Sequence, residues 1–95
     1  MLQFEWDENK NTTNKRKHQV SFEEAATVFF DENALLISDD EHSEEEDRYV
    51  IIGMSVEARL IVVCHCYRNN EKIIRIISAR KATKNESLQY ARGLN

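Results

Sequence analysis

The chain has 95 residues, 41% apolar and 32% charged, with a formal net charge of −4. This length suits one domain around one hydrophobic core, and the balance of apolar and charged residues excludes an intrinsically disordered polymer. No apolar run nears the ~20 residues of a membrane-spanning helix, and Met1 to Asp7 lacks the basic start and apolar core of a secretion signal, so the cytoplasm is the expected compartment.

With no proline and only Gly53 and Gly93, regular elements should dominate, and Asn, Asp and Ser must make the turns. Leu2 to Trp6 alternates weakly, as a short strand does. Asp7 can cap a helix whose last turn holds Lys15, Arg16, Lys17 and His18, where cations suit the helix dipole. Ser21 and Glu24 read as a capping box for a second helix, on which Phe22, Ala25, Ala26 and Phe29 form a buried stripe. Ala34 to Ser38 is a short strand candidate. Arg48 to Met54, Arg59 to Arg68 and Lys72 to Lys81 are richer in Val, Ile and Tyr, and their short connections predict an antiparallel meander. Thr83 and Glu86 form another capping box for a last helix that ends near Gly93. The predicted class is α+β, in the order β-α-α-β-β-β-β-α, as one domain over residues 1–95.

Charge is divided unevenly. Residues 1–58 hold 15 acidic and 5 basic side chains, a balance of −10, whereas residues 59–95 hold 2 acidic and 8 basic ones, a balance of +6. The basic half suits a phosphate-rich ligand better than the net charge suggests. The acidic run from Asp39 to Asp47 reads either as a solvated loop or as a docking surface for a basic partner.

If Asn69-Asn70 is a two-residue turn, Arg68 faces Glu71 and Arg59 faces Arg80. Leu60, Val62, Cys64 and Cys66 then share a face with Ile73, Arg75, Ile77 and Ala79, and this nearly apolar face is expected beneath the helices. The opposite face gathers Arg59, Ile61, Val63, His65 and Tyr67 with Lys72, Ile74, Ile76, Ser78 and Arg80. Like charges directly opposite each other are unfavourable unless an anion lies between them. A three-residue loop would shift the register by one and mix the faces.

Such groups suit metal-independent RNA cleavage. That reaction needs a base for the 2′-hydroxyl, cations for the phosphorane charge and an acid for the leaving 5′-oxygen. His65 fits the proton transfers, Arg59 and Arg80 fit a bidentate grip on phosphate, and Tyr67 fits stacking or proton donation. Each also has a structural reading: a satisfied strand histidine, a half-buried strand tyrosine, solvated strand-end cations, and an Arg48 paired with the preceding acids. Cys64, His65 and Cys66 are adjacent, but thiols at i and i+2 without a second pair read as reduced, core-facing cysteines, with no metal expected.

Several segments resemble one family. Phe4-Glu5-Trp6-Asp7, Lys17-His18 with Val20-Ser21-Phe22-Glu23-Glu24-Ala25, Asp39 to Ser43, Arg48-Tyr49 with Ile52-Gly53, and Arg75 to Ala82 resemble the BrnT toxins, in order, over Phe4 to Tyr90. The resemblance implies a RelE-like fold and an endoribonuclease toxin that blocks translation, with no cofactor. It implies a BrnA-like antitoxin that carries the DNA-binding domain, so that DNA is met only through that partner, and it admits a dimer within the complex. Arg80 leads the matched site candidates, followed by Arg48 and His65, while Arg59 and Tyr67 rest on the shared face. Lys81, Lys84 and Arg68 are the expected RNA-backbone contacts. The alternative is a non-catalytic module, a degenerate toxin or scaffold, that binds a basic partner through the acidic loop. The family often has glycine where this chain has Gln19, Glu45 and Ala58, which predicts altered loop geometry there.

Overall fold

The computed structural model describes residues 2–43 and 46–93. Strand β1 (Gln3–Glu5) leads into α1 (Glu8–His18) and α2 (Phe22–Thr27), which runs on into a 3-10 turn at Val28–Phe30. Then come β2 (Leu35–Ser38), a second 3-10 turn (Asp40–His42), β3 (Arg48–Met54), β4 (Leu60–Arg68), β5 (Ile73–Lys81) and α3 (Lys84–Arg92). The order of helices and strands is the predicted one. The sheet runs β1-β5-β4-β3-β2: β2 to β5 form the antiparallel meander, and β1 joins parallel to β5, which makes the sheet mixed.

The helix starts follow from their caps. The Asp7 carboxylate accepts the N–H groups of Asn9 and Lys10, and the Ser21 hydroxyl accepts that of Glu24. Thr83 and Glu86 form the full reciprocal box. At α2 only half of the predicted box forms, because the Glu24 carboxylate turns away to Arg59 and Ser55.

Helix α1 contains no apolar residue, so it cannot dock by an oily stripe. Two buried asparagines attach it instead. Asn11 accepts the Phe22 N–H on Oδ1 and donates to Glu8 and Glu23. Asn14 donates from Nδ2 to the carbonyls of Val20 and Ala79 and accepts the Ala79 N–H on Oδ1.

Two local features overturn the expected hairpin. Asn69, Asn70 and Glu71 all adopt positive φ (54°, 56° and 66°), which stretches the connection to four residues, and Arg68 pairs with Ile73 rather than Glu71. Further along, His65 pairs with Ile76 but Cys64 pairs with Ser78, so Ile77 is an extra residue, a β-bulge. Strict alternation from Ile74 and Ile76 would carry Ser78 and Arg80 to the same side as those isoleucines. The bulge sends Ala79 there instead.

The helix-covered face is therefore the one that holds Ile61, Val63, His65, Ile76 and Ala79. Four of these pack with Ile51 against Val20, Phe22, Ala25 and Val28 in the main core. Each large apolar side chain so buried stabilises by roughly 1.5–3 kcal/mol. Both sheet faces are apolar enough to attract helices, which is why the pattern alone picked the wrong one. The 3-10 turn lies hard against β3 at Gly53, where an added Cβ would come within 2.7 Å of Val28 Cγ1. On the far face, Leu35, Ile52 and Val62 are buried, and α3 returns over β3, fixed by a hydrogen bond from the Tyr90 hydroxyl to Asp31.

Gln19 (φ 57°) and Ala58 (φ 60°) both occupy the left-handed region that favours glycine. Glu45, the third position of this kind, lies outside the described residues.

Candidate functional site

Beyond the part covered by α3, the far face presents a small lattice of polar groups. Cross-strand pairing sets Arg48 beside Cys66 and Cys66 beside Arg75. In the next row, Val50 lies beside Cys64 and Cys64 beside Ser78; in the one after, Val62 lies beside Arg80. Members of a row are ~4.8 Å apart across the strands, and successive rows, two residues along, are ~7 Å apart, so these rows form one continuous patch. Asp39 extends the first row, since its N–H donates to the Arg48 carbonyl at 2.8 Å. Its carboxylate meets Nδ1 of His42 at 3.0 Å, and the His42 side chain is 62% exposed.

The charges differ in how far they are committed. Arg75 pairs with Glu5 at 2.9 Å. Arg80 meets Glu86 through both terminal nitrogens, at 2.7 and 2.8 Å, and its Nε makes no hydrogen bond among the described residues. That pairing holds the Glu86 carboxyl down at about 2. Arg48 has no ion pair among the described residues, and its buried Nε has no hydrogen-bond partner there. Such an N–H is costly to leave alone and suited to an anion.

The sequence-predicted site residues do not share one surface. His65 is fully buried beneath the helices, with Phe29 edge-on at 4.8 Å. Burial pushes its pKa down to about 4, against a smaller opposing effect of the Val63 carbonyl. Tyr67 lies on the same covered face, 3.3 Å from His65 Nε2, and burial raises its pKa. Arg59 is bound to Glu24 and to the Gln19 carbonyl. It does not face Arg80, because the four-residue loop and the bulge pair Arg80 with Val62. Arg68 pairs with Glu46 at 3.4 Å, while Lys81 and Lys84 are exposed. Arg48 and Arg80 alone of the five proposed catalytic residues lie on the open patch.

Two groups escaped the sequence reading. Ser78 was assigned to the wrong partners, for want of any mark of the bulge. His42 was lost within the acidic run, although Asp39 three residues before it is the spacing at which a short helical turn brings two side chains together.

A metal site at the Cys-His-Cys trio is ruled out by direction: Cys64 and Cys66 point to the open face and His65 to the core. Neither cysteine forms a disulfide, and burial raises both thiol pKa values, so they are protonated at neutral pH. Among the described residues no group of three or more His, Cys, Asp or Glu side chains is arranged to hold a metal ion.

Comparison with known proteins gives a family-model match over residues 6–86, described as the ribonuclease toxin BrnT of a type II toxin–antitoxin system. The chain is also similar to the 1.1 Å crystal structure of the Brucella abortus ribonuclease toxin BrnT. That similarity has a TM-score of 0.68 at 23% identity, over 88% of this chain and 100% of the other. No curated protein sequence matches.

Proposed function

The chain belongs to the BrnT family of ribonuclease toxins of type II toxin–antitoxin systems, and we propose that it cuts RNA internally, without a metal ion, on the sheet face that α1 and α2 leave open. Family membership favours an enzyme over a non-catalytic module. In the reaction the 2′-oxygen gives its proton to a base and attacks the neighbouring phosphorus. The bond to the 5′-oxygen breaks, that oxygen takes up a proton, and a 2′,3′-cyclic phosphate is left.

Arg48 and Arg80 grip the phosphate oxygens and offset the charge that builds on the phosphorane. Glu86 orients the Arg80 fork from one edge, so phosphate approaches along the Nε edge. His42, oriented by Asp39, carries the proton transfers. The observation that carries this reading is the sharing of one face by Arg48, Ser78 and Arg80, with Asp39 in the row of Arg48. Buried His65 and half-buried Tyr67 shape the sheet from behind, and Arg59 anchors α2. Lys81, Lys84 and Arg68 serve as outer contacts to the RNA backbone.

The test is cleavage of single-stranded RNA in excess chelator. Wild-type protein yields fragments ending in cyclic phosphate. Arg48→Ala, His42→Ala and Arg80→Lys each lower kcat by ~100-fold or more at nearly unchanged thermal stability. Full activity in all three variants would remove the open face from the mechanism.

Cleavage of messenger RNA in the cytoplasm would stop translation. The silencing partner is a protein antitoxin, read here as BrnA-like: it supplies the DNA-binding domain and meets the acidic Asp39–Asp47 region with a basic surface, in a complex that holds the toxin as a dimer. No helix among the described residues is long and apolar enough to cross a membrane.

A further inference from the structure

The arginines of the basic C-terminal half are largely spent. Arg59, Arg68, Arg75 and Arg80 each face a carboxylate, from Glu24, Glu46, Glu5 and Glu86 respectively. The cations of α1 are not: Lys10, Lys15, Arg16 and Lys17 make no salt bridge among the described residues. Four uncommitted cations are therefore gathered within eight residues of one helix of the acidic half, whereas Lys72, Lys81, Lys84 and Arg92 of the basic half are spread along the chain.

Part of it faces the sheet. Lys10, Thr13, Asn14, Lys17 and His18 fall at i, i+3, i+4, i+7 and i+8, one side of α1. They line a groove of about 370 Å³ whose opposite wall is Ile77 and Ser78 of β5, within the ~300–1,000 Å³ of ligand clefts. The groove exists because β1 pairs with β5 only as far as Arg75, which leaves the rest of that edge without a strand. Asn14 spans the gap at Ala79 and holds α1 in place. Asp7, the one carboxylate in the lining, is engaged by the backbone N–H groups of Asn9 and Lys10. Ser78 belongs to both the groove and the open face, so the two are continuous.

We propose that this groove is a binding track for the sugar–phosphate backbone of single-stranded RNA, which leads the strand onto the open face past Ser78. Lys10 and Lys17 neutralise successive phosphates, and Thr13 and His18 offer hydrogen bonds. The track rests on the assignment of the chain as an RNA-cutting enzyme, but its test does not require cleavage.

Binding of a fluorescent, uncleavable 2′-O-methyl RNA 12-mer is followed by anisotropy across a salt series. The pair Lys10→Gln/Lys17→Gln should weaken binding on the order of tenfold and reduce the slope of log affinity against log salt by about 1.4, two phosphate contacts' worth for a single strand. The control pair Lys15→Gln/Arg16→Gln removes the same charge from the side of α1 that faces away from this groove, and should change binding by less than about twofold. Cleavage of a dinucleotide, too short to reach the groove, should be unaffected by either pair. An unchanged 12-mer affinity in the Lys10/Lys17 variant, an equal loss in the control, or no binding by the wild-type chain would overturn the track. Loss of dinucleotide cleavage by the wild-type chain would instead overturn the open-face mechanism and leave the binding result standing.

Discussion

The side chain of Asn14 pairs with the backbone of Ala79 as a neighbouring strand would, donating to its carbonyl at 2.8 Å and accepting its N–H at 3.2 Å. One amide thus closes a sheet edge and docks a helix that has no apolar residues. Asn14→Ala would leave the Ala79 backbone and the Val20 carbonyl without partners in a buried setting. Each unsatisfied group costs ~1–3 kcal/mol, so a total loss of about 3 kcal/mol is expected in urea unfolding. A loss under about 0.5 kcal/mol would mean that water replaces the amide without penalty.

His65 should mark the acid limb of stability. Its folded pKa of about 4 lies below the ordinary 6.5, so the unfolded chain binds a proton more readily. The stability from the neutral buried ring is complete above pH 6.5 and is lost as pH falls toward 4, on the order of 3 kcal/mol in all. His65→Gln has no such titration, and its unfolding free energy should stay flat over that window where the wild type declines. Cleavage by the folded variant should remain within about threefold of wild type, because the ring faces the core.

Glu86 should mark a lower window. The Arg80 pairing first, and the Thr83 N–H after it, depress this carboxyl to about 2 from 4.5. Its contribution is present above pH 4.5 and disappears as pH falls to 2. The melting temperature of Glu86→Gln should therefore be below that of wild type at neutral pH, and the two should converge between pH 4.5 and 2. A constant gap across that range would show that the deficit comes from lost capping geometry rather than from charge.

Gln19 and Ala58 should be sites of easy improvement. Both hold positive φ at a steric cost of roughly 1–2 kcal/mol that glycine avoids, partly offset by glycine's greater freedom when unfolded. Gln19→Gly and Ala58→Gly should each raise stability by about 0.5–1 kcal/mol in calorimetry. A fall in either would mean that the side chain contributes contacts outweighing its strain.

The element order was readable because each helix announces its own start: Asp7, Ser21 and Thr83 are caps whose effect is local. The sheet's meander was readable for the same reason, from short connections. What failed was long-range phase. Three consecutive left-handed residues after Arg68 and one unpaired residue at Ile77 leave little trace in composition, yet together they decide which side every β5 side chain takes. The choice of face also depends on helix packing, and both sides of β4 are apolar. Charge was misread through pairing: the basic half looked available until Glu24, Glu46, Glu5 and Glu86 were seen against its arginines. Arg48 and Arg80 were singled out by sequence and do sit on the open face, whereas His42 became visible only beside Asp39.

The bulge at Ile77 acts as a phase shifter in an otherwise regular strand. Upstream of it, even-numbered positions look inward; downstream, odd-numbered ones do. A version of the chain shortened by this one isoleucine would keep Ser78, Ala79 and Arg80 opposite Cys64, Val63 and Val62 in an unbroken ladder, whereas one residue more between Ser78 and Ala79 would drive the terminal arginine toward the oily interior and the alanine out to water. The count of residues downstream of the bulge is thus a stricter constraint than their identity, so a single insertion between Ser78 and Ala79 should injure the protein more than deletion of Ile77.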